Sequence, residues 1–163
     1  MLSFEGRFLT QRAASPAGLA TWRVSFAVLA LAPLLAWGQA HEQHEGNYVL
    51  RASTVSAEAL PEPMRRAHGI PSGSGKAVLN VTVQRLLGSQ TLNVPARVEV
   101  TAQNLMGVTT SVDVRQVLTN GMVSYLGVYD FLPREVLEFR IRAWPQGTKS
   151  SIALSFTDRL GLQ

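Results

Sequence analysis

Leu137, Phe139, Ile141 and Ala143 alternate with Glu138, Arg140, Arg142 and Trp144. A strand sends successive side chains to opposite faces, so this stretch buries one face and leaves the other charged and wet. The same rule recurs along the chain. Tyr48, Leu50 and Ala52 are in phase, as are Ala77, Leu79, Val81 and Val83, then Val94, Ala96, Val98, Val100 and Ala102, and finally Ile152, Leu154 and Phe156. Val112 and Val114 continue the pattern, but Val117 and Leu118 fall out of phase with them, which predicts a bulge near Arg115 and Gln116. Pro95 cannot donate to a ladder, so its strand begins at an edge or a bulge.

Two stretches break the alternation informatively. Asn120-Gly121 sits between apolar runs and predicts a tight hairpin, because a type I′ turn needs positive φ at both central residues. Met122–Phe131 is apolar on both faces, as a strand covered on both sides would be, and its inward side is left open. One segment reads as helix. Pro61 and Pro63 fit a first turn, Gly69 stops it, and Leu60, Met64, Ala67 and His68 share one side. Two turns cannot stand alone in water, so this helix must dock on the sheet. Seven short strands with frequent turn signals predict a mainly β protein, an immunoglobulin-like antiparallel β-sandwich with one short helix.

Composition changes the picture mainly at the start. Arg7, Arg12 and Arg23 precede an uncharged run, 24–37, followed by Gly38-Gln39-Ala40 with small residues where a signal peptidase reads. The alternative is an uncleaved anchor, but the run is 14 residues long and contains Pro33, whereas a spanning helix needs about 20 apolar residues. The expected organisation is a signal peptide at 1–40, a disordered polar tail at 41–46 and a sandwich domain at 47–163. Removing 1–40 takes three of 15 Lys/Arg and one of 11 Asp/Glu, leaving 123 residues with a net charge of +2. That charge does not suit a nucleic-acid binder. There is no cysteine, so thiolate metal sites, thiol redox chemistry and cysteine nucleophiles are excluded, and an exported domain must rely on its core alone.

Candidate chemistry is sparse. Cleavage after Ala40 would expose His41 as a first residue whose amine and ring nitrogen suit copper, with His44 or His68 completing the donors. The bland reading is a solvated tail at His41 and His44, and a helix cap at His68. Gly-x-Ser-x-Gly and His-Glu-x-x-His are both absent, and Asp113, Asp130, Glu135, Glu138 and Asp158 are scattered singly. Ser72-Gly73-Ser74-Gly75-Lys76 lacks the spacing of a phosphate loop. Asn80-Val81-Thr82 matches a glycosylation sequon by chance. Arg140, Arg142 and Trp144 share an outer strand face, and these residue types are enriched at binding hot spots. The competing reading is an ordinary polar face with Trp144 tucked under a loop. Tyr125 and Tyr129 read as core, and Leu105-Met106 as an apolar loop able to cap one end of the sandwich or meet a partner.

A series of short motifs occurs in order: Gly46-Asn47-Tyr48, Ala67-His68-Gly69-Ile70, Ala77-Val78-Leu79-Asn80-Val81, Asn104-Leu105-Met106-Gly107, Val114-Arg115-Gln116-Val117, Tyr125-Leu126-Gly127 and Leu137-Glu138-Phe139-Arg140-Ile141. This layout resembles a family of small exported proteins of Gram-negative bacteria, a domain of unknown function. The resemblance spans about Gly46 to Phe156 and implies a periplasmic single-domain β protein with no catalytic residues to carry over. In that pattern an aromatic residue is common at the position of His68, and N-terminal histidines are not a feature. The expectation is therefore a periplasmic, non-catalytic binding or assembly module without a cofactor, whose partner is another periplasmic or envelope protein. The alternative is a copper-binding protein using His41.

Overall fold

The computed structural model describes residues 40–159, and the expected signal peptide, apart from its last residue, lies outside them. The described residues form ten strands: β1 (His41–Glu45), β2 (Tyr48–Ser56), β3 (Lys76–Leu87), β4 (Gln90–Asn93), β5 (Ala96–Asn104), β6 (Thr109–Ser111), β7 (Val114–Thr119), β8 (Met122–Asp130), β9 (Val136–Pro145) and β10 (Ile152–Arg159). One helix, α1 (Glu62–Ala67), follows a short 3-10 turn at Ala57–Ala59. All pairings are antiparallel. One sheet runs β1-β2-β3-β8-β7 with β4 also on β3, and the other runs β10-β9-β5-β6. The seven strands expected from alternation are β2, β3, β5, β7, β8, β9 and β10. They occupy the strand positions of a constant-type immunoglobulin sandwich, four on one sheet and three on the other.

Alternation sets the core. Leu50, Ala52, Leu79, Val81 and Val83 face Phe139, Ile141, Ala143, Leu154 and Phe156 across the gap between sheets. Phe139 is fully buried and meets Tyr129 edge-on at 5.1 Å and Phe156 in a stack at 5.2 Å. Burial of this kind contributes about 25 cal/mol per Å² of apolar surface, which is what a cysteine-free domain has to draw on. The inward side of β8 is Val123, Tyr125, Gly127 and Tyr129. Its other face is covered as well: Leu126 and Val128 pack with Val55, Val78, Leu60, Met64 and Ile70 beneath the helical segment. The short helix therefore docks on the sheet, as its length requires. The hairpin at Asn120-Gly121 has φ of 50° and 77°, the geometry of the expected type I′ turn.

Two expectations are corrected. Residues 41–46 are not a disordered tail. His41–Glu45 is the edge strand β1, joined to β2 by Gly46-Asn47, with Glu45 opposite Tyr48 and His41 opposite Ala52. The sequence signal is weak because an exposed edge strand needs no apolar alternation. Its ladder bonds hold it, helped by a 3.0 Å ion pair from Arg51 to Glu42. The bulge expected near Arg115 is also absent, and β7 pairs with β8 without a break. There is no shift of phase either: Val114 and Leu118 share one face of β7, opposite Gly127 and Val123, and only Val117 lies on the other, opposite Ser124. The chain changes sheets upstream, at Asp113. Val112 still bonds to Val100 of one sheet, while Val114 pairs with Gly127 of the other.

Candidate functional site

Each histidine is placed by its own element. His41 points inward from β1, and its ring stacks on Phe156 at 4.1 Å with an interplanar angle of 11°. His44, three residues further on, belongs to the opposite face about 10 Å away, where its Nε2 lies 3.3 Å from Glu42. His68 is the C-cap of α1 and bonds through its backbone N–H to the Met64 carbonyl. The fold does not bring the three rings together. Among the described residues, no cluster of three or more His, Asp or Glu could hold a metal ion.

Arg140, Arg142 and Trp144 do share the outer face of β9, and the fold adds Arg97 and Glu99 from β5. Register puts Arg97 opposite Trp144 and Glu99 opposite Arg142. The Arg97 guanidinium lies 4.1 Å over the indole and that of Arg142 5.9 Å from it, so Trp144 is flanked by cations and half-buried. Arg140 binds both carboxylate oxygens of Glu138, at 3.0 and 2.9 Å. The Arg97–Trp144 contact crosses from β5 to β9, whereas the Arg140–Glu138 pair runs along β9 itself. Sequence reasoning missed Arg97, because the pairing of β5 with β9 is not readable from either strand alone.

The least satisfied region is one end of the sandwich, where the β5–β6 and β8–β9 loops meet. There Asn104 and Leu137 are paired across β5 and β9. The β5–β6 loop is held by five hydrogen bonds. Asn104 Oδ1 accepts from Met106 and Val108 N–H, the Asn104 and Gly107 N–H groups donate to the Val108 and Asn104 carbonyls, and Gln103 Nε2 donates to the Gly107 carbonyl. Yet this fixed loop holds Leu105 and Met106 out in water, 82% and 83% exposed. Val108 and Leu132 stand nearby in sequence position on the same two loops, 57% and 68% exposed.

Between these loops lies an open cleft of about 310 Å³. Its walls include Ala102, Thr110, Val112 and Leu137, and it also takes in Tyr129, Asp130 and Glu135. Lys76 pairs with Asp130 at 2.6 Å, and Glu135 accepts the Leu132 N–H at 2.8 Å. Tyr129 is 8% exposed, and its buried hydroxyl makes no well-formed hydrogen bond, since the neighbouring Thr54 donates to Asp158 instead. Burial pushes the Tyr129 phenol well above its ordinary range, the Asp158 charge adds to the rise, and Thr54 opposes it. Asp130, Glu135 and Asp158 were legible only as scattered carboxylates.

No curated protein matches the chain by sequence. Among solved structures, it is similar to a DUF4426 family protein from Pseudomonas aeruginosa PAO1, with a TM-score of 0.63 and 22% identity over 74% of this chain and 94% of that one. It is also similar to FetP from uropathogenic Escherichia coli strain F11. A copper-bound variant of FetP gives a TM-score of 0.55 at 11% identity, covering 76% of this chain and 95% of that one. FetP recombinantly expressed in the periplasm gives 0.56 at 11% identity, covering 74% and 94%. At these identities the likeness is one of fold. No helix among the described residues is long and apolar enough to cross a membrane. The family model for DUF4426, a domain of unknown function, matches residues 42–161, so the chain belongs to that family.

Proposed function

We propose that this chain is a non-catalytic binding module of the periplasm that docks another envelope protein at the loop end of its sandwich. One observation carries the reading: Leu105 and Met106 are held out in water by a loop with five internal hydrogen bonds. Large apolar side chains on a rigid loop suit recognition, because little conformational entropy remains to be lost on binding. The leader at 1–40 supports the periplasmic placement. The test is cross-linked capture from periplasm with wild-type protein, with Leu105→Ser/Met106→Ser, and with Arg140→Ala/Trp144→Ala. Partners should be lost only with the loop variant. Equal capture by all three refutes the reading.

The second reading is copper binding through His41, favoured by the copper-bound FetP variant that shares the fold. His41 would have to give up its stack on Phe156 or bind through its outer ring edge and the chain terminus. Calorimetry with Cu(II) on protein beginning at His41 tests it, and affinity weaker than micromolar removes it.

A further inference from the structure

The cleft is formed by a mismatch of strand lengths. β8 runs to Asp130 along β3, with Lys76 opposite Asp130 and Val78 opposite Val128. On its other side β7 reaches only to Val114, opposite Gly127, because the chain leaves for the second sheet at Asp113. The Phe131 N–H bonds to Gly75, on the β3 side. Backbone groups alternate sides along a strand, so Tyr129 also faces β3, while Val128 and Asp130 turn their N–H and C=O groups the other way. Leu126, opposite Arg115, is the last residue of that parity to meet β7. Beyond it, Val128 and Asp130 face the cleft side with no strand partner among the described residues.

From this geometry we infer that the cleft takes an extended, basic peptide segment of a partner protein, added as a strand along Val128–Asp130 in continuation of β7. The inference rests on the reading of this end as the binding end, and it names the chemistry of what binds. A free stretch of strand edge offers main-chain hydrogen bonds to any extended chain. A volume of about 310 Å³ admits two or three residues, not a folded domain. Of the two carboxylates in the lining, Asp130 is already paired with Lys76, which leaves Glu135 as the acidic group open to a guest. The Leu105, Val108 and Leu132 side chains stand on the loops flanking the cleft, so flanking apolar residues of the guest would find contacts there. Backbone pairing would provide affinity, and Glu135 would select Lys or Arg at the position that leans toward it.

The test is a nitrogen-15 NMR titration of the protein with acetylated, amidated pentapeptides: Val-Lys-Val-Lys-Val, its Glu counterpart, and the Lys peptide N-methylated at alternate residues in either register. The Lys peptide should shift the amides of Val128 and Asp130 saturably. Glu135→Gln, at a half-exposed position, should weaken it about fivefold. One of the two N-methylated registers should fail to bind. Strand addition is overturned if both N-methylated peptides bind like the parent, if the Glu peptide binds as well as the Lys peptide, or if no peptide moves those amides. In the last case loop-dependent capture through Leu105 and Met106 would still stand, so the two proposals fail separately.

Discussion

Gly127 lies where the chain changes sheets, and its replacement by alanine measures how tightly that crossover is packed. A Cβ built there would lie 2.8 Å from Val112 Cγ1, 3.0 Å from Val114 Cγ1 and 3.2 Å from the Asp113 carbonyl oxygen. The glycine does not have positive φ, so the constraint is one of space alone. Two of the three neighbours are β-branched side chains with stiff χ1, and the third is backbone. Relief therefore requires the Val112–Val114 segment to move away from β8. Overpacking of this kind costs about 1–3 kcal/mol, and three simultaneous contacts place Gly127→Ala near about 2–3 kcal/mol. At about 4 °C per kcal/mol for a domain of this size, the midpoint should fall by about 8–12 °C. Thermal and urea unfolding followed by circular dichroism would read this, with an unchanged urea slope showing that stability alone has moved. Val112→Ala removes the closest contact, so the double variant should lose less than the sum of the two single changes, by about 1 kcal/mol of coupling. A Gly127→Ala protein within about 0.5 kcal/mol of wild type would refute the packing argument, since changes away from such features stay in that range.

Three further outcomes are expected. Tyr129→Phe removes a buried hydroxyl without a well-formed partner and should be neutral or stabilising by up to about 1 kcal/mol; a clear loss would mean the hydroxyl has a partner. The folded state keeps the Tyr129 proton to higher pH than the unfolded chain, which releases it near 10. Its contribution is therefore complete below pH ~10 and falls above it, by about 1.4 kcal/mol per pH unit. Denaturation midpoints of wild type and Tyr129→Phe at pH 9 to 11 should diverge accordingly, and parallel curves would contradict the assignment. Arg97→Ala should cost about 0.5–1 kcal/mol and red-shift the emission of Trp144, the only tryptophan in protein starting at His41, whereas an unmoved spectrum would show that the guanidinium does not shield the ring. His41→Ala, which loses the stack on Phe156, should cost about 1 kcal/mol and speed amide exchange along β1, and a silent substitution would mean that β1 is held by its ladder alone.

Local chemistry carried the fold. Period-two alternation marked seven strands, Asn120-Gly121 marked a hairpin, and Pro61, Pro63 and Gly69 marked a helix whose brevity forced it onto a sheet. What escaped was either exposed or non-local. β1, β4 and β6 are short and bury almost nothing, so no hydrophobic period betrays them. Val117 suggested a bulge only because it is an apolar residue on the face away from the core, opposite Ser124, while Leu118 keeps the parity of Val112 and Val114. The candidate site was less legible still. Leu105-Met106 stood out as an apolar loop, but the cleft beside it draws Ala102, Thr110, Tyr129 and Glu135 from four separate segments. Its open edge exists only because β7 stops before β8 does.

The pairing of β5 with β9 also governs when this protein can become a protein. Ala96 waits for Pro145, and Asn104 waits for Leu137. A chain made from its N-terminus can assemble β1 to β3 and the β7–β8 hairpin early, but one half of the interior stays bare until Phe139 arrives. Throughout that interval Leu50, Leu79 and Val81 are oily surfaces without a lid. A chaperone that shields them would have to let go only once the penultimate strand is available.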